Sequence, residues 1–380
     1  MSKQIDAYSF ALGVCEAFCE VVRAGVKRIA LSHPFTEDEL QNLLGADFLP
    51  ASEDEKKQLD IMRESTTFWK DALKRFSKNK VAMVAAVVIL LVIICAFVVP
   101  NFYPYEYDQQ IRGSENLWPM QYSEEEQALI DSGESVFPHI FGTDKLGRDL
   151  GIRVLTGARV SLLVGLIASA LVLLIGSIYG SVAGYFGGKV DLIMMRIVDI
   201  IYSIPDILII ILLQVTLKSP LQALFDSSPI FDGLNRVGVG LISIFITFSL
   251  LYWVSMARIV RSQVMTLKEQ EFVTAAKALG ASNGRIIRKH LLPNCIGTLI
   301  VTATLQIPSA IFTEAFLSFL GLGVAAPMAS LGSLASDAIS SINSFPYRLF
   351  IPAVAISIII LAFNLFGDGL RDAFDPKLKK

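Results

Sequence analysis

The sequence predicts an all-α, polytopic membrane protein with six transmembrane helices, and three observations carry that reading. Apolar runs of about 20 residues, enough to cross a hydrocarbon core about 30 Å thick, recur along the 380-residue chain. Only 18% of the residues are charged and 53% are hydrophobic, whereas soluble domains carry roughly 25% charged residues. Mean hydropathy is +0.56, and the charges that remain gather in the flanks between the apolar runs.

The first run, Val81 to Val99, has no charge at all. The second, about Val160 to Tyr185, is rich in Gly, Ala and Ser, which let membrane helices approach closely. The third, about Leu192 to Leu217, is interrupted by Arg196, Asp199 and Asp206, and Pro205 is expected to bend it. The fourth covers about Val237 to Met256, the fifth about Cys295 to Leu320, and the sixth about Phe350 to Phe366.

An even number of spans puts both termini on one side, and short-flank Lys and Arg residues tend to stay in the cytoplasm. Lys70, Lys74, Arg75, Lys78 and Lys80 precede the first span, and Arg258, Arg261, Lys268, Lys277, Arg285, Arg288 and Lys289 lie between the fourth and fifth. Both stretches are expected inside, with the tail residues Arg371, Lys377, Lys379 and Lys380. The loop over about 100–159, acidic at Glu106, Asp108, Glu115, Glu124, Glu125, Glu126, Asp131 and Glu134, is expected outside, as is the nearly neutral Lys218 to Arg236.

Residues 1–67 form a separate, cytoplasmic helical extension in this reading. Ser2, Asp6, Ser9, Gly13, Glu16, Glu20, Arg23 and Lys27 share one helical stripe opposite a broad apolar face. Thr36 with Glu39 and Ser52 with Glu55 have the spacing of capping boxes. Acidic residues Asp6, Glu16 and Glu20 interrupt any signal-peptide pattern at the start.

Several function classes are excluded. Cys15, Cys19, Cys95 and Cys295 supply neither a disulfide framework nor a paired CxxC metal signature, so no metal site is expected. A net charge of −2 gives no case for nucleic-acid binding. Gly280-Ala-Ser-Asn-Gly284 lacks the lysine of a phosphate-binding loop and follows no strand, and no nucleophile elbow or zinc helix is present. The chain is therefore not expected to be an enzyme or to have catalytic residues.

The most informative stretch runs from Glu271 to Asn294, within a connection of about 258–294. Its first half forms a good helix up to Gly280, which can take the left-handed conformation that ends one helix and starts another. Ser282 or Asn283 can cap the second helix, and Pro293 marks re-entry to the membrane. Ala275 and Ala276 offer a small-residue face to a partner surface. A helix pair tied to two spans in this way is a mechanical lever.

The stretch resembles the EAA loop of ABC importer permeases: Thr274-Ala275-Ala276, Gly280 and Leu292-Pro293 fall at the matching offsets. Thr274 stands where the family has glutamate, and His290 where it has isoleucine. Phe68 to Met83, His139 to Asp149, Gly184 to Asp191, Glu314 to Gly323 and Leu361 to Pro376 look like the C-type permease subunit of oligopeptide and dipeptide ABC importers. The resemblance covers 68–380, the permease domain of this reading; Gly151 and Leu331 depart from the more usual residues.

The resemblance implies a subunit forming half of a pathway for oligopeptides or dipeptides, set in the cell's inner (plasma) membrane among its lipids, with both termini cytoplasmic. Implied partners are a second homologous permease chain, two ATP-binding subunits and an external substrate-binding protein. ATP and Mg would lie on the ATPase partners, with no cofactor on this chain. Coupling would run through Glu271, Thr274, Ala275, Ala276, Gly280, Leu292 and Pro293. Related permeases also serve nickel or other small solutes.

Charges in apolar spans are costly and so face a partner, water or the bundle interior. Pro205, Asp206 and Glu314 are the translocation-pathway candidates, while Arg196 and Asp199, three residues apart, read as an intrahelical ion pair. Phe141 to Asp149 reads as a turn opening the second span, with Thr143 or Asp144 as cap and Asp144, Arg148 and Asp149 as candidate ligand contacts. An ion-coupled secondary transporter is the rival; it calls for internal repeats and helices broken at mid-membrane, and no repeat is evident. A structural scaffold is a second rival.

Overall fold

The computed structural model describes residues 68–227, 231, 233, 237–324 and 328–374, and the chain divides into two units after Thr66. The expectations for residues 1–67, including the amphipathic stripe and the boxes at Thr36 and Ser52, lie outside the described residues, as do Lys377, Lys379 and Lys380. Among the described residues the regular structure is helical, and six helical segments are long and apolar enough to cross a membrane.

Helix α1 (Phe68–Phe76) turns at Asn79, whose side chain accepts from the Ala82 N–H and starts α2 (Lys80–Phe97). The apolar run here has no polar stripe, as befits a helix facing lipid on most sides. An irregular segment then carries α3 (Glu124–Asp131), opened by a reciprocal Ser123–Glu126 capping box.

Helix α4 (Leu150–Phe186) has 37 residues and is about 55 Å long, well beyond one bilayer core. It begins ten residues before the apolar run because Asp149 accepts from the Ile152 N–H, and because Leu150, Val154 and Ala158 pack against Leu331, Leu334 and Tyr347. Its small residues do permit close approach. A Cβ on Gly180 would lie 2.4 Å from the Ala257 carbonyl oxygen, and one on Gly176 2.6 Å from Met256.

The third apolar run is two helices, α5 (Gly188–Tyr202) and α6 (Asp206–Asp226), separated by Ser203-Ile204-Pro205. Pro205 has no N–H to continue a helix and pushes Ile204 towards extended backbone. The fourth is α7 (Val239–Leu251) and α8 (Trp253–Leu267), parted at Tyr252. Then come α9 (Glu271–Ala278), α10 (Asn283–Ile286), α11 (Ile296–Phe319), α12 (Leu331–Ala338) and α13 (Tyr347–Phe374).

Pro293 stands in the first turn of a short, tight helical segment that leads into α11, near a helix start, where its missing N–H is tolerated. From Asn283 the chain runs through a wide turn over Ile287–Leu291 and a tight one over Leu292–Cys295 directly into α11. The wide turn absorbs the missing proline N–H, so α10 and α11 form one distorted rod.

Three apolar clusters place these elements along the bundle. Val164, Ala168, Ile210, Ile244 and Ala310 meet on one side of the Pro205 break. Val198, Trp253, Val254 and Ala257 meet on the other. Beyond them Val260, Val264, Val273, Ile286 and Leu291 join the helix pair to α8 and α11. The break therefore lies midway along the apolar lengths of α4, α7–α8 and α11.

Candidate functional site: a helix pair and a mid-depth cavity

Gly280 has φ +77, a conformation that side-chain-bearing residues adopt only at a cost. The Gly280 N–H donates to the Lys277 carbonyl at 2.9 Å and the Ala281 N–H to the Ala276 carbonyl at 3.0 Å. This pair of bonds is a Schellman closure, which satisfies the last carbonyls of α9 and turns the chain into α10.

The two alanines part company. Ala276 points inward with Val273, Ile286 and Leu291, so it does not supply the outward face expected of it. The exposed side of α9 carries Phe272, Ala275 and Leu279, and Leu279 is 88% exposed at the tip. Glu271 and Thr274 are exposed, Leu292 is half-buried, and Pro293 is exposed on the rod.

Tyr185 ties this pair to α4, and further polar contacts fasten the neighbouring ends of α4, α5 and α8. Tyr185, at the end of α4, donates to the Asn283 side-chain oxygen at 2.8 Å, and the Lys277 ammonium lies 5.5 Å from the Tyr185 ring. Asn283 is thus engaged by Tyr185, and Ser282, at the cap position, makes no side-chain capping bond. Asp191 forms a two-pronged pair with Arg261 on α8, and the Arg261 bonds hold the Asp191 carboxyl below the usual carboxylate range despite burial. Lys268 donates to the Gly184 carbonyl at 3.1 Å. The available signal was the Gly184-Tyr-Phe-Gly-Gly-Lys-Val-Asp191 block, which supplies the turn and its carboxylate.

At mid-depth a cavity of about 800 Å³ opens between α5–α6, α7–α8, α11 and α13. Three irregularities meet there: the Pro205 break, the Tyr252 turn and Pro308 inside α11. Tyr252 packs edge-on to Phe248 and its hydroxyl lies 2.6 Å from that of Thr313. Pro205 and Asp206 line the cavity.

Glu314 does not line it. The carboxylate is fully buried, accepting from Ser161 on α4 at 2.8 Å and from Ser318 at 2.7 Å. Ser318 also accepts from the Val324 N–H. Its geometry is that of a tie between α4, α11 and the following turn, where hydroxyl donors offset the burial of a carboxylate. The expected Arg196–Asp199 pair is not formed either; Asp199 pairs with Arg258 at 2.9 Å, and Arg258 also lies 4.3 Å from the Tyr202 ring.

The opposite end is a polar knot. Asp144 accepts from Arg148 at 2.7 Å and Arg153 at 2.6 Å, and also from the Leu146 and Arg148 N–H groups. Asp149, not Thr143 or Asp144, caps α4, and its other oxygen lies 2.8 Å from His139 Nδ1. Glu126 lies 3.0 Å from His139 Nε2, and Tyr105 stacks on the ring at 4.6 Å. Burial opposes a charge on His139, but the bonds to Asp149 and Glu126 prevail and raise its pKa above the usual value. These carboxylates are occupied within the chain, which makes the segment a cross-linked cap over the start of α4. Gly151 also finds its reason here: a Cβ would lie 2.7 Å from the Tyr103 hydroxyl.

Residues 173–380 match the family described as the binding-protein-dependent transport system inner membrane component. Residues 67–119 match the N-terminal transmembrane domain of oligopeptide transport permease C. The chain is 43% identical over 341 residues to the oligopeptide transport system permease protein OppC of Bacillus subtilis, covering 90% of this chain and 100% of that protein. It is 41% identical to the dipeptide transport system permease protein DppC of the same organism, over 90% and 97% of the two chains. With the oligopeptide permease OppC of Haemophilus influenzae the identity is 38%, over 88% and 96%.

Proposed function

The chain belongs to the family of binding-protein-dependent transport system inner membrane components, and on that premise we propose that it forms half of the pathway of an ATP-driven importer of oligopeptides or dipeptides. Its partners in this reading are a second permease chain, two ATP-binding subunits carrying ATP and Mg, and an external substrate-binding protein. The protein sits in the inner membrane with the α9–α10 pair and both termini cytoplasmic and the knot around His139 external.

The observation that carries the coupling role is the helix pair around Gly280. Its outer face is unpartnered at Phe272 and Leu279, while its inner face is packed on α8 and the α10–α11 rod. A push on Leu279 is therefore delivered to two spans that border the cavity. ATP-driven approach of the partners supplies the differential contact that shifts the pathway between its two openings.

Relatives named for oligopeptide and dipeptide transport favour peptides over nickel or another small solute as the cargo. Helices broken at mid-depth are a feature that an ion-coupled transporter would share; the family and the docking pair speak for ATP. The test is uptake by membranes holding the complete transporter. Leu279→Asp changes an exposed side chain, so it should leave assembly intact and abolish ATP-driven uptake. Normal uptake with Leu279→Asp would sink the coupling role.

A further inference from the structure

Among the described residues Asp206 is the only charged one lining the mid-depth cavity. It is exposed to that space, starts α6, and among the described residues forms no ion pair; its carboxylate accepts from the Ile207 N–H at 2.9 Å. A carboxylate at this depth facing lipid would be costly, so this face borders water or a ligand. Negative charge at the first residue of α6 is well placed against the helix dipole, so the acid is held there without a cation of its own chain.

Hydroxyls of Ser203, Tyr252, Ser255, Ser309 and Thr313 line the cavity as well, and two of the other polar residues there are amides. Gln306 and Asn364 also line the cavity, and among the described residues neither side-chain amide is hydrogen-bonded within the chain. Each can both donate and accept, which suits peptide N–H and C=O groups of any sequence. The remaining surface is mostly apolar, including Ile207, Phe312 and Ile360. A carboxylate and two free amides lining one cavity fit a molecule with one constant cation, repeated amides and variable side chains.

We propose that Asp206 receives the terminal ammonium of a peptide in transit, with Gln306 and Asn364 serving its backbone amides. The inference rests on the importer reading, and it adds a rule that the reading does not contain: the permease itself selects for a free amino terminus. That ammonium is the one cation every unmodified peptide carries, and its bond to a carboxylate is charge-assisted and correspondingly strong.

The experiment uses the complete transporter in liposomes, with the external binding protein saturated by one of two cargoes. One is an unmodified tripeptide; the other is its analogue with a hydroxyl in place of the terminal ammonium. The wild type should carry the tripeptide at least about tenfold faster, the factor expected from one charge-assisted bond. In Asp206→Asn the tripeptide should slow to the analogue's rate, and Asp206→Glu should restore the preference. An unchanged tripeptide rate in Asp206→Asn, equal slowing of both cargoes, or an Asp206→Glu variant as slow as Asp206→Asn would overturn the assignment while leaving the importer standing. A wild-type complex that moves neither cargo would instead count against the importer reading.

Discussion

The two ends of the bundle are held by different physics. The cap around residues 103–149 is fastened by directional bonds: Asp144 to two arginines, His139 between two carboxylates, and Tyr347 to the Leu117 carbonyl at 2.6 Å. The α9–α10 pair is seated mainly by apolar contact, through Val273, Ala276, Ile286 and Leu291, with Tyr185 as its polar link. Directional networks fix one geometry, whereas an apolar seat is less particular about angle and lets a rigid pair tilt. In the proposed transport cycle the cap would stay still and the helix pair would move.

The strongest way to break this contrast is Gly280→Pro. Proline fixes φ near −65° and removes the N–H that bonds Lys277, so the turn is lost and uptake should fall by about 100-fold or more, with the chain still inserted. A Cβ at Gly280 meets nothing within 4 Å, so Gly280→Ala should cost only about 1–2 kcal/mol of backbone strain; uptake by Gly280→Pro at the wild-type rate would remove the lever. Ala276→Asp should also abolish uptake, but by burying a charge beside Val273 and not by altering a docking face.

Asp144→Ala sharpens the comparison from the other side. It leaves Arg153, only 3% exposed, without its closest carboxylate, and a buried pair broken in this way costs about 3–5 kcal/mol. The melting temperature in detergent should drop clearly; a shift within error would mean that the cap is not held by that network. Asp191→Asn touches a pair whose arginine is 31% exposed, so screening limits the loss to about 1 kcal/mol or less. Its larger effect should be looser coupling, read as ATP hydrolysis without matching uptake.

The smallest effect is a pH dependence confined to the cap. The folded pKa of His139 is raised, so its contribution is complete below the unfolded value of about 6.5 and is lost as pH rises through the folded value. Wild-type melting temperature should therefore fall relative to His139→Gln as pH rises from about 6.5 through the folded value, and run parallel to it beyond. Parallel pH curves for the two proteins would mean that His139 stays neutral.

Much of this was legible in the chain. The apolar runs located five of the six spans, because a bilayer demands length and hydropathy that a sequence cannot hide; the third run, Leu192 to Leu217, straddles the Pro205 break, and the span there is Asp206–Asp226. Pro205 announced its break and Gly280 its left-handed turn, since both act through their own backbone. What was missed depended on remote partners. Glu314 looks like a pathway acid until Ser161, 153 residues away, is seen to donate to it. Asp199 matches Arg196 by spacing but pairs with Arg258, and the Tyr252 turn has no proline or glycine at that residue to signal it.

The sequence by itself determined the membrane class, five of the six spans and the local turns, because these follow from hydropathy and from backbone limits carried by single residues. Tertiary structure alone decided which charges are spent inside the protein and which remain free to meet a ligand. Asp144, Asp149, Asp191 and Glu314 are all occupied by side chains distant or turned towards them only in the fold, while Asp206 is left facing a cavity. A carboxylate's role is set by what donates to it, and for Asp191 and Glu314 a decisive donor comes from another helix, Arg261 or Ser161, which the residues around the carboxylate do not announce.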